Sequence, residues 1–359
     1  MKPEVTTSAG SNPAPHANGT PGCPAAPSPI PRLALIIVTY KRQELLAKLF
    51  DTIAALDPAP WRIVLVDNEN APATARMASE FAHRLDDAWG ESAEGADAVG
   101  GTSRVVYDPQ TENSGGAGGF SAGVRRAFEL GAQWFWVMDD DVTVMPDAIA
   151  KLGRWTDRFG AIQGARLDYD GGAFYWMYRY WTALGIPSPI ASADLGPEGW
   201  QPMNQLCFEG GLFSRDVVRQ IGYPDYRYFI YGDDAIYGYL ASKVVPTAAV
   251  TDVVLQRSRV INNREIGTTR QLNSTSDTNR YYIMRNRGYS ARYLKEHGEY
   301  RRVLFGLGTA ATLAKELIRL ALVDRTFKTG VPALVRGMRD ARKIYRDRSW
   351  TPMPPVSDR

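Results

Sequence analysis

Residues 134–141 read WFWVMDDD: five apolar residues run without interruption into Asp139, Asp140 and Asp141. A short apolar run bounded by polar residues is a strand buried on both faces, as in a parallel sheet. Such a strand delivers its last residues to the carboxyl edge of the sheet, where ligands of open α/β folds bind. Three carboxylates there repel one another unless a cation neutralises them. Mg²⁺ or Mn²⁺ suits such oxygen donors, and diphosphate oxygens would complete its shell. If the chain stays extended, Asp139 and Asp141 point the same way and form an Asp-x-Asp clamp. The competing reading is a helix N-terminal region, where acids are also favoured.

Working outward, LALIIV (33–38) and WRIVLV (61–66) are two more such runs, ending in Thr39-Tyr40 and Asp67-Asn68. Residues 45, 46, 49, 53 and 56 are apolar at helical spacing, and 71–88 and 120–130 read as further helices. Strand and helix thus alternate to about residue 160, which predicts an α/β fold with a mostly parallel central sheet. From Thr278 onward the pattern turns helical. The expected organisation is a disordered Pro- and Ala-rich tail over 1–32, a catalytic domain over 33–270, and a C-terminal helical region over 271–359 that associates with membranes.

The chain has 359 residues, 44% of them hydrophobic and 23% charged, with a formal net charge of +3. The composition is that of a globular protein, and the near-balance of charge gives no reason to expect nucleic-acid binding. The two cysteines, Cys23 and Cys207, read as free thiols in a reducing compartment. His16, His83 and His297 are scattered. No apolar run reaches the roughly eighteen residues of a membrane span.

Two further motifs carry chemistry. NSGGAGGF (113–120) precedes a predicted helix, and glycines there let a phosphate approach a helix N-terminus. It is neither a P-loop nor a dinucleotide fingerprint. In FIYGDD (229–234), Asp233 and Asp234 sit among aromatic residues. Apolar surroundings raise a carboxyl pKa and suit it to accept a proton from a hydroxyl. A helix cap is the plainer reading, and one acid could cap while the other reaches a substrate. The aromatic stretch from Phe174 to Trp181 reads either as core or as an exposed stacking platform. Arg336, Arg339, Lys343 and Arg346 recur at helical spacing, as in a basic helix on an anionic membrane surface or a solvated helix face.

These segments together resemble the family-2 glycosyltransferases of the A-type nucleotide-diphosphosugar fold. The resemblance spans roughly residues 33–295 and rests on IIVTYKR (36–42), ENSGGAGGFSAGV (112–124), WFWVMDDD (134–141), the stretch 208–239, and RYYIMRNRGYSARYL (280–294). The glycine loop and the late Arg-Asn segment look most like galactofuranosyltransferases that initiate cell-wall galactan, with rhamnosyltransferases near relatives.

The resemblance implies an inverting displacement with UDP-galactofuranose as donor and a polyprenyl-diphosphate-linked saccharide as acceptor. It implies that Thr39 and Asp67 hold the nucleoside, that Asn113, Gly115 and Gly116 line the donor pocket, and that Asp140 lies near sugar or ribose. Asp139 and Asp141 would bind Mn²⁺ or Mg²⁺, and Asp234 would be the base with Asp233 next in line. It further implies a cytoplasmic enzyme, peripheral on the inner face of the plasma membrane; a homo-oligomer is compatible with it. Rhamnosyl transfer from dTDP-rhamnose and a non-catalytic scaffold of the same fold are the alternatives. One departure stands out. Many relatives place a metal-binding histidine about twenty residues past the base, whereas this chain has Gln256, Arg257 and Ser258 there. Gln256, Ser258 or a water would then supply the oxygen.

Overall fold

The computed structural model describes residues 29–90, 103–172, 178–190, 195–260, 263–266 and 270–357. Residues 1–28 of the expected tail over 1–32, with Cys23 and His16, and residues 174–177 of the aromatic stretch lie outside them. Ile30 is fully buried in the core, so packed chain begins three residues before the expected start of the domain.

The elements run β1 (Leu33–Thr39), α1 (Gln43–Ile53), β2 (Arg62–Asp67), α2 (Pro72–Trp89), β3 (Val105–Pro109), α3 (Gly115–Glu129), β4 (Trp134–Asp139), β5 (Val142–Val144), α4 (Ala148–Gly153) and β6 (Ala161–Leu167). There follow β7 (Tyr178–Trp181), β8 (Ile186–Pro189), β9 (Trp200–Pro202), β10 (Gly211–Ser214), α5 (Arg215–Ile221), α6 (Asp233–Ala241) and β11 (Thr247–Arg257). The chain closes with β12 (Asn263–Ile266), β13 (Arg270–Asn273), α7 (Asp277–Arg285), α8 (Arg287–Glu296), α9 (Arg302–Arg319), a π-helical turn (Leu320–Asp324) and α10 (Phe327–Arg346).

The central sheet has the order β3-β2-β1-β4-β10-β6-β11-β5, with β9 on β11. β1, β2, β3, β4, β6 and β11 share one direction, while β5, β9 and β10 oppose it. β1, β2 and β4 are apolar throughout because both faces are covered. On one face Leu35, Ile37 and Leu65 pack with α1 and α2; on the other Ile36, Val64 and Val66 pack with α3. Gly123 on α3 meets Ile36 so closely that an added Cβ would lie 2.5 Å from its side chain, which brings helix and sheet into direct contact.

The glycine run departs from the sequence expectation. It is no loop ahead of a helix starting at Phe120, because α3 begins at Gly115 and Gly116 to Gly119 form its first turns. Close packing overrides the low helix propensity of glycine here. At Gly115, φ is +72° and a Cβ would fall 2.1 Å from the Phe229 carbonyl oxygen.

The C-terminal helices are joined to the sheet domain. α10 packs on α7 through Leu334, which meets Met284 and Leu320. Beyond α10 the chain returns across the molecule. Trp350 packs edge-on against Tyr293, and the Val356 N–H donates to the Arg219 carbonyl of α5 at 3.0 Å.

Candidate active site

Three parallel strands end side by side at the carboxyl edge, in the order β2, β1, β4, so that Asp67, Thr39 and the acidic triplet are neighbours. Thr39 Oγ1 donates to Asp140 Oδ2 at 2.7 Å. Arg42 bridges Asp140 Oδ1 and Asp141 Oδ2, both at 3.0 Å. Burial opposes the Arg42 charge, but Asp140 and Asp141 hold the guanidinium above its ordinary value.

The triplet is not extended throughout. β4 ends at Asp139, and the chain turns through Asp140 and Asp141 into β5. Asp139 and Asp141 still act on each other, but by the turn rather than by strand alternation. Burial first, then the charges of Asp141, Glu209 and Asp140, push the Asp139 carboxyl well above the usual carboxylate range. Crowding of that kind favours a proton or a cation.

Glu209 comes from the turn ahead of β10. The Gly210 N–H donates to the Val137 carbonyl at 2.8 Å, and Trp136 Nε1 donates to the Gly210 carbonyl at 3.2 Å, which fixes this turn beside the end of β4. Glu209 is buried between Arg166 (3.4 Å) and Arg257 (3.8 Å), and Arg257 lies 4.0 Å from Asp168. Sequence reading singled out none of Arg42, Arg166, Glu209 and Arg257 for a role. A Glu-Gly-Gly turn was visible in the motif, but the charges that meet it come from three distant strands and turns.

β11 passes beside β5, pairing Gln256 with Thr143 and Arg257 with Val142. The Ser258 N–H then donates to the Asp141 carbonyl at 3.0 Å, while its hydroxyl is buried without a hydrogen-bond partner. Gln256 is turned elsewhere, with its amide donating to the carbonyls of Asp168 and Tyr169. Among the described residues no three His, Cys, Asp or Glu side chains are gathered as a ready-made metal cage. Asp139, Asp141 and the unpartnered Ser258 hydroxyl are nonetheless hard oxygen donors in an anionic corner, the set that fits Mg²⁺ or Mn²⁺.

At the end of β2 Asp67 is fully buried, accepting from the N–H groups of Glu69 and Ala71 and from the Tyr107 hydroxyl at 2.8 Å. Its carboxylate thus shapes the turn after β2 whatever else it binds. Asn113 Oδ1 accepts from the Gly115 N–H at 2.9 Å, and Asn68 Nδ2 donates to the Gly115 carbonyl at 3.0 Å. Gly116 has open space where a Cβ would stand, leaving the start of α3 accessible.

The second acidic pair is split by the helix it opens. Asp234 lies by Cys207 and Arg166, on the side of Glu209, and burial raises its pKa against the pull of the Ala235 N–H, Cys207 and Arg166. Asp233 lines a small cavity with Asp225, Tyr237, Tyr293 and Met353. Burial and the Asp234 charge push it up to about 8. Cys207 is a buried free thiol whose pKa burial pushes up to about 12.

The turn before this pair is held in unusual backbone. Phe229 and Tyr231 have φ of +64° and +69°, in the left-handed region that non-glycine residues avoid. Asn286, between α7 and α8, holds it there: its side-chain amide donates to the carbonyls of Tyr228, Ile230 and Tyr231 at 3.0, 2.7 and 2.8 Å. Arg285 donates to the carbonyls of Arg227 and Tyr228. On its other side the turn meets α3, where the Ala117 N–H donates to the Phe229 carbonyl at 3.0 Å. Of the aromatic stretch, Tyr180 is buried and Trp181 is half exposed.

Known proteins are similar to this chain in sequence and in fold. Two mycobacterial proteins named galactofuranosyltransferase GlfT1 are similar in sequence. The one from Mycolicibacterium smegmatis is 27% identical over 271 residues, covering 71% of this chain and 81% of its own. The one from Mycobacterium tuberculosis is 26% identical over 207 residues, 55% and 60% of the two chains. Among solved structures, S. aureus TarS residues 1–349 in complex with UDP-GlcNAc superposes with a TM-score of 0.54 at 11% identity, covering 88% of this chain and 81% of that one. That likeness shows the fold, the A-type glycosyltransferase fold. The sequence pattern described as glycosyl transferase family 2 matches residues 34–222, more than half of the chain, and the protein belongs to that family.

Proposed function

We propose that this protein is an inverting galactofuranosyltransferase, moving galactofuranose from UDP-galactofuranose to a polyprenyl-diphosphate-linked saccharide in cell-wall or surface-polysaccharide synthesis. The observation that carries the reading is one connected site: Asp139, Asp140 and Asp141 at the end of β4, linked through Glu209 and Arg166 to Asp234 at the start of α6. The names of the sequence relatives support the donor sugar.

In this reading Thr39, Asp67, Asn113, Gly115 and Gly116 surround the nucleotide, and Asp140 lies toward the sugar. Asp139 and Asp141, with Ser258 in place of the histidine of many relatives, would hold Mn²⁺ or Mg²⁺. When bound, that cation would neutralise the diphosphate of the leaving nucleotide. Asp234 takes the proton of the acceptor hydroxyl as its oxygen attacks the anomeric carbon. The carbon–phosphate-oxygen bond breaks on the opposite face, inverting the centre and releasing UDP. A carboxyl with a raised pKa is the stronger base, which suits Asp234 to the task. Asp233, facing Tyr293, serves the packing behind it. The acceptor's lipid brings the reaction to the inner face of the plasma membrane.

Calorimetry with UDP-galactofuranose and dTDP-rhamnose, each with and without Mn²⁺, tests the proposal. Metal-dependent binding of the uridine donor alone is expected, and Asp141→Ala should abolish it. Binding of the thymidine donor instead would point to rhamnosyl transfer, and binding of neither to a scaffold that has lost catalysis.

A further inference from the structure

Helix α9 wears its polarity inside out. Its buried positions include Phe305, Gly308, Glu316 and Arg319, the last two paired at 2.7 Å. Gly308 lies against the Leu184 carbonyl, where a Cβ would fall 1.9 Å from the oxygen. The helix is thereby fixed in rotation, with its charged pair turned inward. Its outer face is apolar: Val303 is 76% exposed, Leu307 58% and Ile318 48%, and Leu322 and Phe327 continue the exposed surface beyond its end. Ala311 and Ala314 fill the stripe between Leu307 and Ile318 and are exposed too. A helix on a water-soluble surface shows the reverse arrangement.

The charge around that stripe is of one sign. Arg301, Arg302, Lys315, Arg325 and Lys328 are exposed on or beside it. Over residues 300–339 the acids are Glu316 and Asp324. Both are paired, the buried Glu316 with Arg319 and the half-buried Asp324 with Arg280. A second copy of the chain placed on this face would bring cations against cations. An anionic bilayer offers an apolar interior for the stripe and headgroups for its flanks. No helix among the described residues is long and apolar enough to cross a membrane.

We infer that α9 lies in the interface of an anionic lipid bilayer, its Val303–Leu307–Ile318 face among the acyl chains. The contact assigned from sequence to the basic helix α10 thus moves to α9. The apolar side of α10, with Ala333, Leu334 and Gly337, is buried, and its cations are left to flank the membrane. The inner side of α9 backs the site. The charges of Glu316 and Arg319 on that side reach Tyr231, and Asp234 follows three residues later. The inference rests on the proposed lipid-linked acceptor for its purpose, but the surface stands on its own geometry.

Flotation of the full chain with vesicles tests it, using phosphatidylcholine alone against phosphatidylcholine with phosphatidylglycerol. The protein should float with the anionic vesicles and far less with the neutral ones. The double variant Leu307→Glu, Ile318→Glu should bind at least roughly tenfold more weakly, with an unchanged thermal melt because both side chains are exposed. Arg325→Glu with Lys328→Glu should weaken binding in low salt and remove much of its salt dependence. The inference is overturned if the wild type stays unbound, or if the glutamate variant floats as well as the wild type. It is equally overturned if sedimentation velocity shows those glutamates breaking a dimer while flotation persists. UDP binding measured on the same samples separates the two readings. Lost flotation with intact UDP binding sinks only the membrane surface, whereas flotation without binding of either nucleotide sugar sinks only the transferase.

Discussion

Asp233 and Asp234 are adjacent in sequence and opposite in surroundings, and each makes its own prediction. Asp234→Asn should leave nucleotide binding nearly intact and lower transfer by roughly 100- to 10,000-fold. Transfer at the wild-type rate in a direct glycosyl assay would remove Asp234 from the base role. Asp233 is a matter of stability. Its folded pKa is raised, from 3.8 to about 8, so the folded state holds a proton that the unfolded chain releases. The stabilisation is full below the ordinary carboxylate range and is lost as pH rises through about 8. The wild-type melting temperature should therefore fall across that window, and Asp233→Asn should flatten the fall. An unchanged slope in the variant would assign the pH dependence to other groups. Glu209 answers to a different physics, because its buried carboxylate is paired with Arg166 and lies near Arg257, and removing it breaks a buried ion pair. Glu209→Ala should cost about 3–5 kcal/mol in urea unfolding.

At the scale of elements, the start of α3 and the 226–232 turn behave as one unit. They share the Ala117–Phe229 hydrogen bond, and Gly115 lets them touch. Asn286 closes the unit from the other side, two amide hydrogens serving three carbonyls. Because the turn carries left-handed φ at Phe229 and Tyr231, it relaxes once those bonds are gone. Asn286→Ala should lower kcat at least roughly tenfold while leaving donor affinity little changed, and cost about 2–3 kcal/mol of stability. A rise in donor KM with kcat preserved would instead tie Asn286 to the nucleotide. The Arg-Asn pair was legible in the sequence as a motif. Its work was not, because Asn286 acts on residues more than fifty positions away.

Across the whole molecule, the C-terminal helices complete the sheet domain. The family pattern ends at residue 222, yet Asp234 lies beyond it, and the turn that presents Asp234 is held from α7 and α8. The returning segment ties the chain end to α5 and Tyr293. Trp350→Ala should cost about 3 kcal/mol or more, as the loss of a buried indole does, and denaturant unfolding would register it. A single cooperative transition that shifts as one would show helices and sheet unfolding together, as the hydrogen bond from Val356 to the Arg219 carbonyl of α5 favours.

The chain by itself determined the α/β alternation, the apolar strands and the acids at their ends, because hydrophobic periodicity and strand-end position are local properties of a sequence. Asp139 and Asp141 could be picked out for the same reason, and Asp234 by the aromatic residues around it. Only the tertiary structure decided that the triplet turns after Asp139 and that the glycines after Asn113 are helical. It alone placed Arg42 and Glu209 among the acids and turned Asp233 from Asp234. It also exposed the apolar side of α9. Each of these depends on which distant charge or carbonyl lies opposite, and that is set by packing across the sheet rather than by neighbours along the chain.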